Sequence, residues 1–296
     1  MDEKKIIQAG KIAQDVKKYI RPFVKEGVSL LELADKIEAK IVELGGRPAF
    51  PTNLSINEIA AHYTPAYNDE TTAHGLIKVD FGVHIDGWVS DTSFSVDLEN
   101  SAENKKLIEA SEKALEAAEK TISKNIDVSE IGKEIQNAIE KLGFSPITNL
   151  SGHQIEQYAL HAGMSIPNIN DKRTAKITAP GLYAIEPFAT NGSGRVKDGK
   201  PSGIYSLIDY KNVRSADARE ILEYIAEEYD QLPFCSRWIV KQFGTKALIA
   251  LRQLEQNGNL HHYAQLVEAG NGIVSQSENT ILLKTNGEKI VTTREN

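Results

Sequence analysis

A pair of amphipathic helices is predicted twice in this chain, and this repetition limits the possible folds more than any other feature of the sequence. Apolar residues at helical spacing predict helices over residues 4–24, 29–44, 101–122 and 127–142. Ser29 with Glu32 and Asp127 with Glu130 predict a capping box at the second helix of each pair, 98 residues apart. We predict an internal repeat, although any two amphipathic helices share one period.

Chemically active residues follow both predicted helix pairs in the same order. His62 lies 17 residues after Gly45, and His161 lies 18 residues after Gly143. Each half then places an acidic residue inside an apolar segment that has the pattern of a strand, where such residues are uncommon. This agreement beyond the helices favours a true repeat over a chance match.

The first of these acidic residues belongs to a predicted β-hairpin, "KVDFGVHIDGWVSDTSFSV", over residues 78–96. A two-residue turn at Asp86-Gly87 places Asp80 opposite Ser93. Asp91 then lies diagonally across from Asp80 on the same face, close enough for the two carboxylates to converge. Two converging anions repel unless a proton or a cation lies between them. The hairpin therefore predicts either a metal site or an acid pair that shares a proton.

Acidic residues also interrupt two apolar segments of the second half, Glu186 in "GLYAIEPF" and Glu278 in "GIVSQSENTILL". Between them the pattern changes to helices, predicted over 218–229 and 238–256, with few strand signals. We therefore predict an α/β (α+β) fold with a helical subdomain inserted into its sheet. The predicted boundaries are residues 1–192 and 264–296 for the α/β domain and residues 193–263 for the insertion.

The acids and one histidine form a candidate metal site. Its members are Asp80, Asp91, Glu186, Glu278 and His153 of "SGHQ". Four carboxylates with one imidazole suit Mn, Fe(II), Co or Zn, and two divalent ions balance their charge better than one. Taken singly, each acid is more often a solvated residue, and each histidine a turn or core residue, than a functional group. The histidines without an assigned role are His74, His84, His261 and His262.

Composition excludes several classes of protein. The net charge of −7, without a long Lys/Arg block, gives no support for nucleic-acid or membrane-surface binding. The single cysteine, Cys235, allows no intrachain disulfide and is predicted to be a buried structural thiol. The sequence has no signal-peptide pattern and no apolar run of membrane-spanning length. We therefore predict a cytoplasmic protein with neither nucleic-acid nor membrane partners, and we expect a monomer.

Six segments of the chain carry a family resemblance. They are "AAHYTP" at 60–65, "VDFGVHIDGWVSDTSFSV" at 79–96, "SGHQIEQYALHAGMSIPNI" at 151–169, "YAIEPFAT" at 183–190, "LPFCSRWI" at 232–239 and "SQSENTILL" at 275–283. Together they are similar to the type 2 methionine aminopeptidases over nearly the whole chain. The resemblance includes the helical insertion that separates type 2 from type 1 enzymes, and the start of the chain resembles the form without the eukaryotic extension.

The resemblance implies a pita-bread fold with pseudo-twofold symmetry. It implies removal of the initiator methionine from nascent polypeptides whose second residue is small, and proximity to the ribosome is expected from such substrates. It also implies two divalent metal ions, Co, Mn, Fe or Zn, bridged by a hydroxide that attacks the first peptide bond. The implied ligands are Asp80, Asp91, His153, Glu186 and Glu278.

Roles for further residues follow from the same resemblance. His62 would interact with the substrate's amide nitrogen, His161 would polarise its carbonyl, and Glu186 would move a proton toward the leaving amine. An apolar pocket would receive the methionine side chain. The family positions that form it map onto Phe50, Leu160, Phe188 and Tyr263.

The chain departs from the family pattern beside its last implied ligand. Ser277 and Asn279 flank Glu278, where the family usually has Phe and His. Neighbours of a ligand tune the metal, so metal affinity or preference is expected to differ from the family norm. Gln154, which follows His153, also replaces a residue that is commonly smaller.

Two other functions remain open. An X-Pro dipeptidase or aminopeptidase P shares the five ligands, but such enzymes usually carry a large additional N-terminal domain, and only 61 residues precede His62. A non-catalytic binding protein of the same fold would have lost ligands, whereas this chain retains all five. Metal content and cleavage of Met-Ala against X-Pro peptides discriminate among the three.

Overall fold

The two helix pairs occur at the predicted positions in the computed structural model, which describes residues 1–295. The helices are α1 (Glu3–Ile20), α2 (Leu30–Glu43), α3 (Ala102–Thr121), α4 (Val128–Lys141), α5 (Ala216–Tyr229), α6 (Ser236–Phe243) and α7 (Ala247–Gln256), with a 3-10 turn at Arg21–Phe23. Helices α2 and α4 each contain 14 residues, and each is followed by a left-handed glycine with a φ of 84°, Gly45 and Gly143. Within residues 1–295 no helix has the length and apolar character needed to cross a bilayer.

The N-termini of α2 and α4 are closed in different ways. The Glu32 amide donates to Ser29 Oγ over 3.4 Å, as the sequence predicts. Asp127 occupies the equivalent position, but its side chain accepts no capping hydrogen bond. Its Oδ1 lies 3.2 Å from Lys176 Nζ instead. The predicted cap by Asp127 is therefore wrong, because a lysine distant in sequence offers this carboxylate a charged partner.

The strands in the described residues are mostly short, and all of their pairings are antiparallel. They are β1 (Arg47–Pro48), β2 (Asn53–Ile56), β3 (Ile59–Ala61), β4 (Leu76–Ile85), β5 (Trp88–Asp97), β6 (Ser145–Pro146), β7 (Ser151–Ile155), β8 (Ser165–Pro167), β9 (Gly181–Ile185), β10 (Phe188–Thr190), β11 (Val196–Leu207), β12 (Phe234–Cys235), β13 (Leu260–Glu268), β14 (Val274–Gln276), β15 (Asn279–Leu283) and β16 (Lys289–Val291). The sheet orders are β1-β4-β2 with β5 paired to β4, β14-β10-β6, β12-β11-β13-β3 and β16-β15-β9-β7-β8.

Each helix pair covers strands of its own half. Helices α1 and α2 share one core with β4, in which Ile37 and Phe81 are fully buried. Helices α3 and α4 share another with β9 and β15, in which Ile135 and Ile281 are buried. Burial of one such side chain stabilises the fold by about 1.5–3 kcal/mol. The two halves meet where β5 lies beside β15, so the predicted α/β architecture with an internal repeat is confirmed.

The predicted insertion contains α5, α6 and α7, which share a core of their own. It also contains β11, β12 and the first four residues of β13, and β11 pairs with both β12 and β13, so the prediction of few strands here is wrong. Strand β11 contains exposed polar, glycine and proline residues, and its backbone pairing is not marked by apolar alternation. The helix predicted over 238–256 is interrupted at Gly244. The boundaries of the inserted subdomain stay a prediction.

Glu268 connects the loop before β11, at Ser193 and Gly194, to the loop after β13, at Gly270 and Gly272. The residue is fully buried at the end of β13. One carboxylate oxygen accepts from the amide and hydroxyl of Ser193, each over 2.5 Å, and from the Gly194 amide over 3.1 Å. The other oxygen accepts from the amides of Gly270 and Gly272 over 2.7 and 2.8 Å. A single carboxylate therefore holds both loops.

We expect Glu268→Gln to lower the free energy of unfolding by about 2–3 kcal/mol, because the new amide brings N–H donors into a site made of donors. Burial opposes ionisation, but the hydrogen bonds from Ser193 and the loop amides hold the pKa of Glu268 below its ordinary value. A carboxyl pKa lowered in the folded state stabilises the fold above the unfolded-state pKa, and this contribution disappears as the pH falls through the folded-state pKa. The wild type should therefore lose more stability on acidification than the variant.

Urea unfolding at neutral pH and below the ordinary glutamate pKa of about 4.3 measures both effects. The exposed Glu288 provides the matched control, Glu288→Gln, which should leave the unfolding midpoint almost unchanged. Equal midpoints for the two variants at neutral pH would contradict the prediction.

Candidate metal centre

The hairpin that carries Asp80 and Asp91 has the predicted register. Asp86 and Gly87 have φ angles of 48° and 80°, so both turn residues are left-handed, as a type I′ turn requires. Asp80 pairs with Ser93, and Gly82 pairs with Asp91. The prediction that both acids lie on one face of the hairpin is therefore confirmed.

The second half brings its own acids to the same place. His153 lies in β7 beside Ala184 of β9, and Glu186 follows β9 directly. Glu278 lies between β14 and β15 and pairs with Ser93 of the hairpin through its backbone, with the Glu278 amide 3.2 Å from the Ser93 carbonyl oxygen. The hydroxyl of Thr92 also donates to the Glu278 carbonyl over 2.9 Å. The last acid is thus joined to the first hairpin by the backbone itself.

All five candidate ligands line one cavity. Potential ligand atoms of Asp91, His153 and Glu278 lie within 4.8 Å of one another. His153 Nε2 is 3.6 Å from Asp91 Oδ2 and 3.7 Å from Glu186 Oε1. Asp80 completes the ring from the neighbouring strand. The structure therefore brings together residues that are up to 198 positions apart in the sequence.

Gln276 is a member of this group that sequence reasoning missed. Its Nε2 is 3.5 Å from Asp80 Oδ2 and 3.4 Å from Glu186 Oε2, so the amide connects a carboxylate of each half. The side chain is fully buried. Its position two residues before Glu278, on a strand, is the signal that could have placed it on the same face.

Electrostatic repulsion dominates the cluster. Burial raises the pKa of Asp80 to about 7. Burial and the nearby Asp80 raise the pKa of Asp91 well above its ordinary value. Burial, followed by the charge of Asp91, does the same for Glu186 and Glu278. Four carboxyl groups in this arrangement need positive charge to be ionised together.

The donor set fits divalent cations. The buried oxygens Asp80 Oδ1 and Asp91 Oδ1 have no hydrogen-bond partner, and no lysine or arginine within residues 1–295 forms an ion pair with the four acids. Burial, with a smaller effect of His161, lowers the pKa of His153 to about 3, so its imidazole is neutral and able to ligate a metal. Carboxylate and imidazole ligands together suit Mn, Fe, Co or Zn.

The cavity wall contains most of the other predicted residues. His62, His161, Phe50, Leu160 and Tyr263 line it, as do Asn53, Ile204 and Pro233, which sequence reasoning missed. Phe188 does not line this cavity; it is buried and borders an adjacent one. Ile204 and Pro233 come from the segment predicted as the insertion, and of the two only Pro233 belongs to a segment that carries the family resemblance, "LPFCSRWI".

His62 is held in a defined state. Its φ of 64° is in the left-handed region, and its Nδ1 lies 3.1 Å from the Ala264 carbonyl oxygen in β13. Because a carbonyl only accepts, Nδ1 carries the proton. Burial, and to a smaller extent His261, lowers the pKa of His62, so Nε2 is an unprotonated acceptor at neutral pH. His161 is more exposed than His62. Its ring packs edge to face on that of His153, with 4.4 Å between the ring centroids.

The two residues that flank Glu278 point away from the cavity. Ser277 Oγ lies 2.9 Å from Ser111 Oγ, and Asn279 Nδ2 donates to Glu119 Oε1 over 2.8 Å. Both partners belong to α3. The two residues that depart from the family pattern therefore contact α3 behind the site, and the effect expected on the metal stays a prediction.

Cys235 is buried, and burial raises the pKa of its thiol to about 12. A thiol with so high a pKa is protonated at neutral pH and is not a nucleophile. Its predicted burial is confirmed.

Known proteins are similar to this chain in sequence and in fold. The sequence pattern of metallopeptidase family M24 matches residues 4–222. The methionine aminopeptidase of Pyrococcus horikoshii is 47% identical over 296 residues, which cover 99% of this chain and 100% of that protein. Among solved structures, a thermophilic Arx1 has a TM-score of 0.84 at 14% identity, covering 98% of this chain and 90% of the other.

The methionine aminopeptidase of Thermotoga maritima has a TM-score of 0.70 at 20% identity, covering 99% of this chain and 96% of the other. At such identities a structural likeness concerns the fold alone, and it confirms the predicted pita-bread architecture. The relationship to the Pyrococcus protein extends over the full length at much higher identity. The chain therefore belongs to metallopeptidase family M24 and, within it, to the methionine aminopeptidases.

Proposed function

We propose that this protein is a methionyl aminopeptidase that hydrolyses the peptide bond after an N-terminal methionine when the next residue is small. One observation carries the proposal: five potential metal ligands, two histidines and an apolar wall surround a single cavity. The free α-amino group of a substrate would bind at the metal centre, which restricts hydrolysis to the first peptide bond.

The proposed ligands of two divalent ions, Co, Mn, Fe or Zn, are Asp80, Asp91, His153, Glu186 and Glu278. When bound, such ions supply Lewis acidity and lower the pKa of a coordinated water. Gln276 orients one carboxylate of each half, since its amide donates to both Asp80 and Glu186. Backbone pairing of Glu278 with Ser93 keeps the two halves in register around the site.

His62 is proposed to accept a hydrogen bond from the amide nitrogen of the scissile bond. Its Nδ1 is occupied by the Ala264 carbonyl, so Nε2 offers a lone pair. His161 is proposed to donate to the substrate's carbonyl oxygen and to stabilise the negative charge that develops there. Glu186 is proposed to pass a proton to the leaving amine.

The methionine side chain is proposed to occupy the apolar part of the cavity. The residues that line this part are Phe50, Leu160, Ile204, Pro233 and Tyr263. Burying an unbranched side chain of this size contributes about 1.5–3 kcal/mol to binding. Phe188 lines the adjacent cavity, which shares His62, His161 and Glu186 with this one, and its contact with the methionine side chain stays a prediction.

The proposed substrates are nascent polypeptides that still carry their initiator methionine. We place the reaction in the cytoplasm, near the ribosome, where such chains emerge, and we propose that the enzyme acts as a monomer.

Hydrolysis of short peptides by metal-stripped protein, before and after addition of Mn(II) or Co(II), tests the proposal. We expect free methionine from Met-Ala-Ser only after metal is added, and much slower release from Met-Leu-Ser, whose second residue is large. Failure to cleave Met-Ala-Ser with any of Mn, Fe, Co and Zn would refute the proposal. Cleavage of an X-Pro peptide in its place would favour the X-Pro peptidase.

A further inference from the structure

The apolar part of the cavity is shared between two regions of the chain. Ile204, Pro233 and Tyr263 come from the segment predicted as the insertion. Phe50, Pro51 and Asn53 come from the first half, at and before β2. A pocket formed in this way keeps its shape only if the two regions hold a constant separation.

A buried ion pair connects these regions behind the pocket. Arg237 of α6 and Glu38 of α2 are 5% and 9% exposed. They form two parallel hydrogen bonds, from Nη1 to Oε2 and from Nη2 to Oε1, each 2.8 Å long. A guanidinium and a carboxylate in this arrangement fix their relative angle as well as their distance.

The same pair holds both loops that lead into the cavity. Glu38 Oε1 accepts from the Thr52 amide over 3.2 Å, and Thr52 lies between Pro51 and Asn53 of the cavity wall. Arg237 Nε donates to the Pro65 carbonyl over 3.1 Å, three residues after His62. Four segments of the chain therefore meet at one ion pair, although neither of its side chains lines the cavity.

Trp238 adds a further bond on the side of α6. Its Nε1 donates to Glu38 Oε2 over 2.8 Å. Glu38 thereby accepts from two consecutive residues of α6 and from the Thr52 amide, so its two oxygens are shared between the cavity loop and the insertion. Displacement of α6 would move Pro233 and the Thr52 loop relative to each other.

We propose that the Glu38–Arg237 ion pair is a positioning device that sets the width of the methionine pocket. The inference rests on the proposed function, because it concerns the same cavity. Desolvation offsets much of the attraction within a buried ion pair, and an apolar pair of similar volume often stabilises a fold equally well. The distinctive contribution of the pair is therefore geometric, and it acts on substrate binding.

The test compares wild-type protein with the double variant Glu38→Met/Arg237→Met. Removing one partner alone leaves an uncompensated buried charge, whereas the double variant avoids that penalty. We expect its metal affinity to match that of the wild type, and its unfolding midpoint to fall only as far as the loss of the Glu38 acceptor for the Thr52 amide and Trp238 Nε1 requires. KM for Met-Ala-Ser should rise about tenfold or more while kcat changes less than about threefold, because the chemical groups remain in place.

Two single variants sharpen the comparison. Asp35→Asn is the matched control, since Asp35 also bonds to Arg237 Nη1 but its side chain is 53% exposed, and KM should stay at the wild-type value. Arg237→Lys keeps the charge and loses the paired geometry, so KM should rise although the ion pair is not removed. This variant carries the test if the double variant does not fold.

A wild-type KM in the folded double variant or in folded Arg237→Lys would overturn the proposal. Equal losses of kcat, metal affinity and unfolding midpoint would also overturn it, because they would show a general structural role. Failure of the wild type to release methionine refutes the proposed function, not the positioning role. Calorimetric binding of L-methionine to the metal-loaded proteins tests the positioning role independently, and equal affinities in the wild type and the double variant would refute it.

Discussion

Replacing Asp91 by asparagine is expected to lower kcat about a thousandfold with any divalent metal, since loss of several kcal/mol of metal-ion stabilisation corresponds to about three orders of magnitude in rate. Asp91 belongs to the cluster whose ligand atoms lie within 4.8 Å of one another, and its Oδ2 is 3.6 Å from His153 Nε2. Asparagine preserves the shape of the side chain but removes one negative charge. Peptide hydrolysis and the metal content of the purified variant measure the effect.

The same substitution should not destabilise the metal-free protein. Burial and the charge of Asp80 raise the pKa of Asp91, so the ionised form is unfavourable in the fold without metal. A carboxyl pKa raised in the folded state lowers stability at neutral pH, and this cost shrinks as the pH falls below the folded-state pKa and is gone below the unfolded-state pKa. A neutral amide removes this cost, and the unfolding midpoint in the presence of chelator should be equal to or above that of the wild type.

Asp86→Asn is the matched control, in the turn of the same hairpin. Its side chain is 67% exposed and pairs with Lys5 on the surface, which contributes little to stability. Asn-Gly suits the type I′ turn as well as Asp-Gly does. The control should retain wild-type activity and metal content. Activity of Asp91→Asn within tenfold of the control would show that Asp91 is not a ligand.

Replacing His62 by glutamine is expected to lower kcat about a hundredfold, at the lower end of the range for a positioned acid–base group. The ring is fixed by the bond from Nδ1 to the Ala264 carbonyl, which leaves Nε2 as the acceptor for the substrate. Glutamine cannot make that backbone bond and also place an acceptor where Nε2 lies. Metal content should not change, because His62 is not among the proposed ligands.

Initial rates and metal analysis of the purified variant check this prediction. His74→Gln provides the control, because His74 is an exposed histidine outside the cavity. Because burial lowers the pKa of His62, the wild-type rate should not report its titration in the neutral range. Wild-type kcat in His62→Gln would contradict the proposed contact with the substrate, and loss of metal from this variant would contradict its exclusion from the ligand set.

The parts of the site that were predicted correctly depend on local rules. The turn at Asp86-Gly87 determines the hairpin register, because the two left-handed residues set which positions face each other. Helices α2 and α4 match at an offset of 98 residues because apolar periodicity and the terminal glycines act within a few residues. A strand alternates its faces, so the acids of one hairpin could be placed on one side from their numbers alone.

The errors have different causes. The Asp127 cap failed because Lys176, 49 residues later, competes for the same carboxylate. Strand β11 was missed because its side chains do not alternate between apolar and polar residues. It is held by backbone hydrogen bonds, which leave no pattern in the sequence. Ser277 and Asn279 could be recognised as departures from a family pattern, but only the tertiary contacts of this segment with α3 show that they face Ser111 and Glu119.

Sequence alone thus determined the helix pairs, the hairpin and the residue types of a candidate divalent-metal site, because turns and alternation are local, whereas the aminopeptidase assignment came from the family resemblance. Only the tertiary structure decided that Gln276 joins Asp80 to Glu186 and that Arg237 and Glu38 meet behind the cavity. These relations join residues from about 90 to 200 positions apart. Contacts between such distant residues depend on how whole sheets and helices pack, and no local pattern specifies that packing.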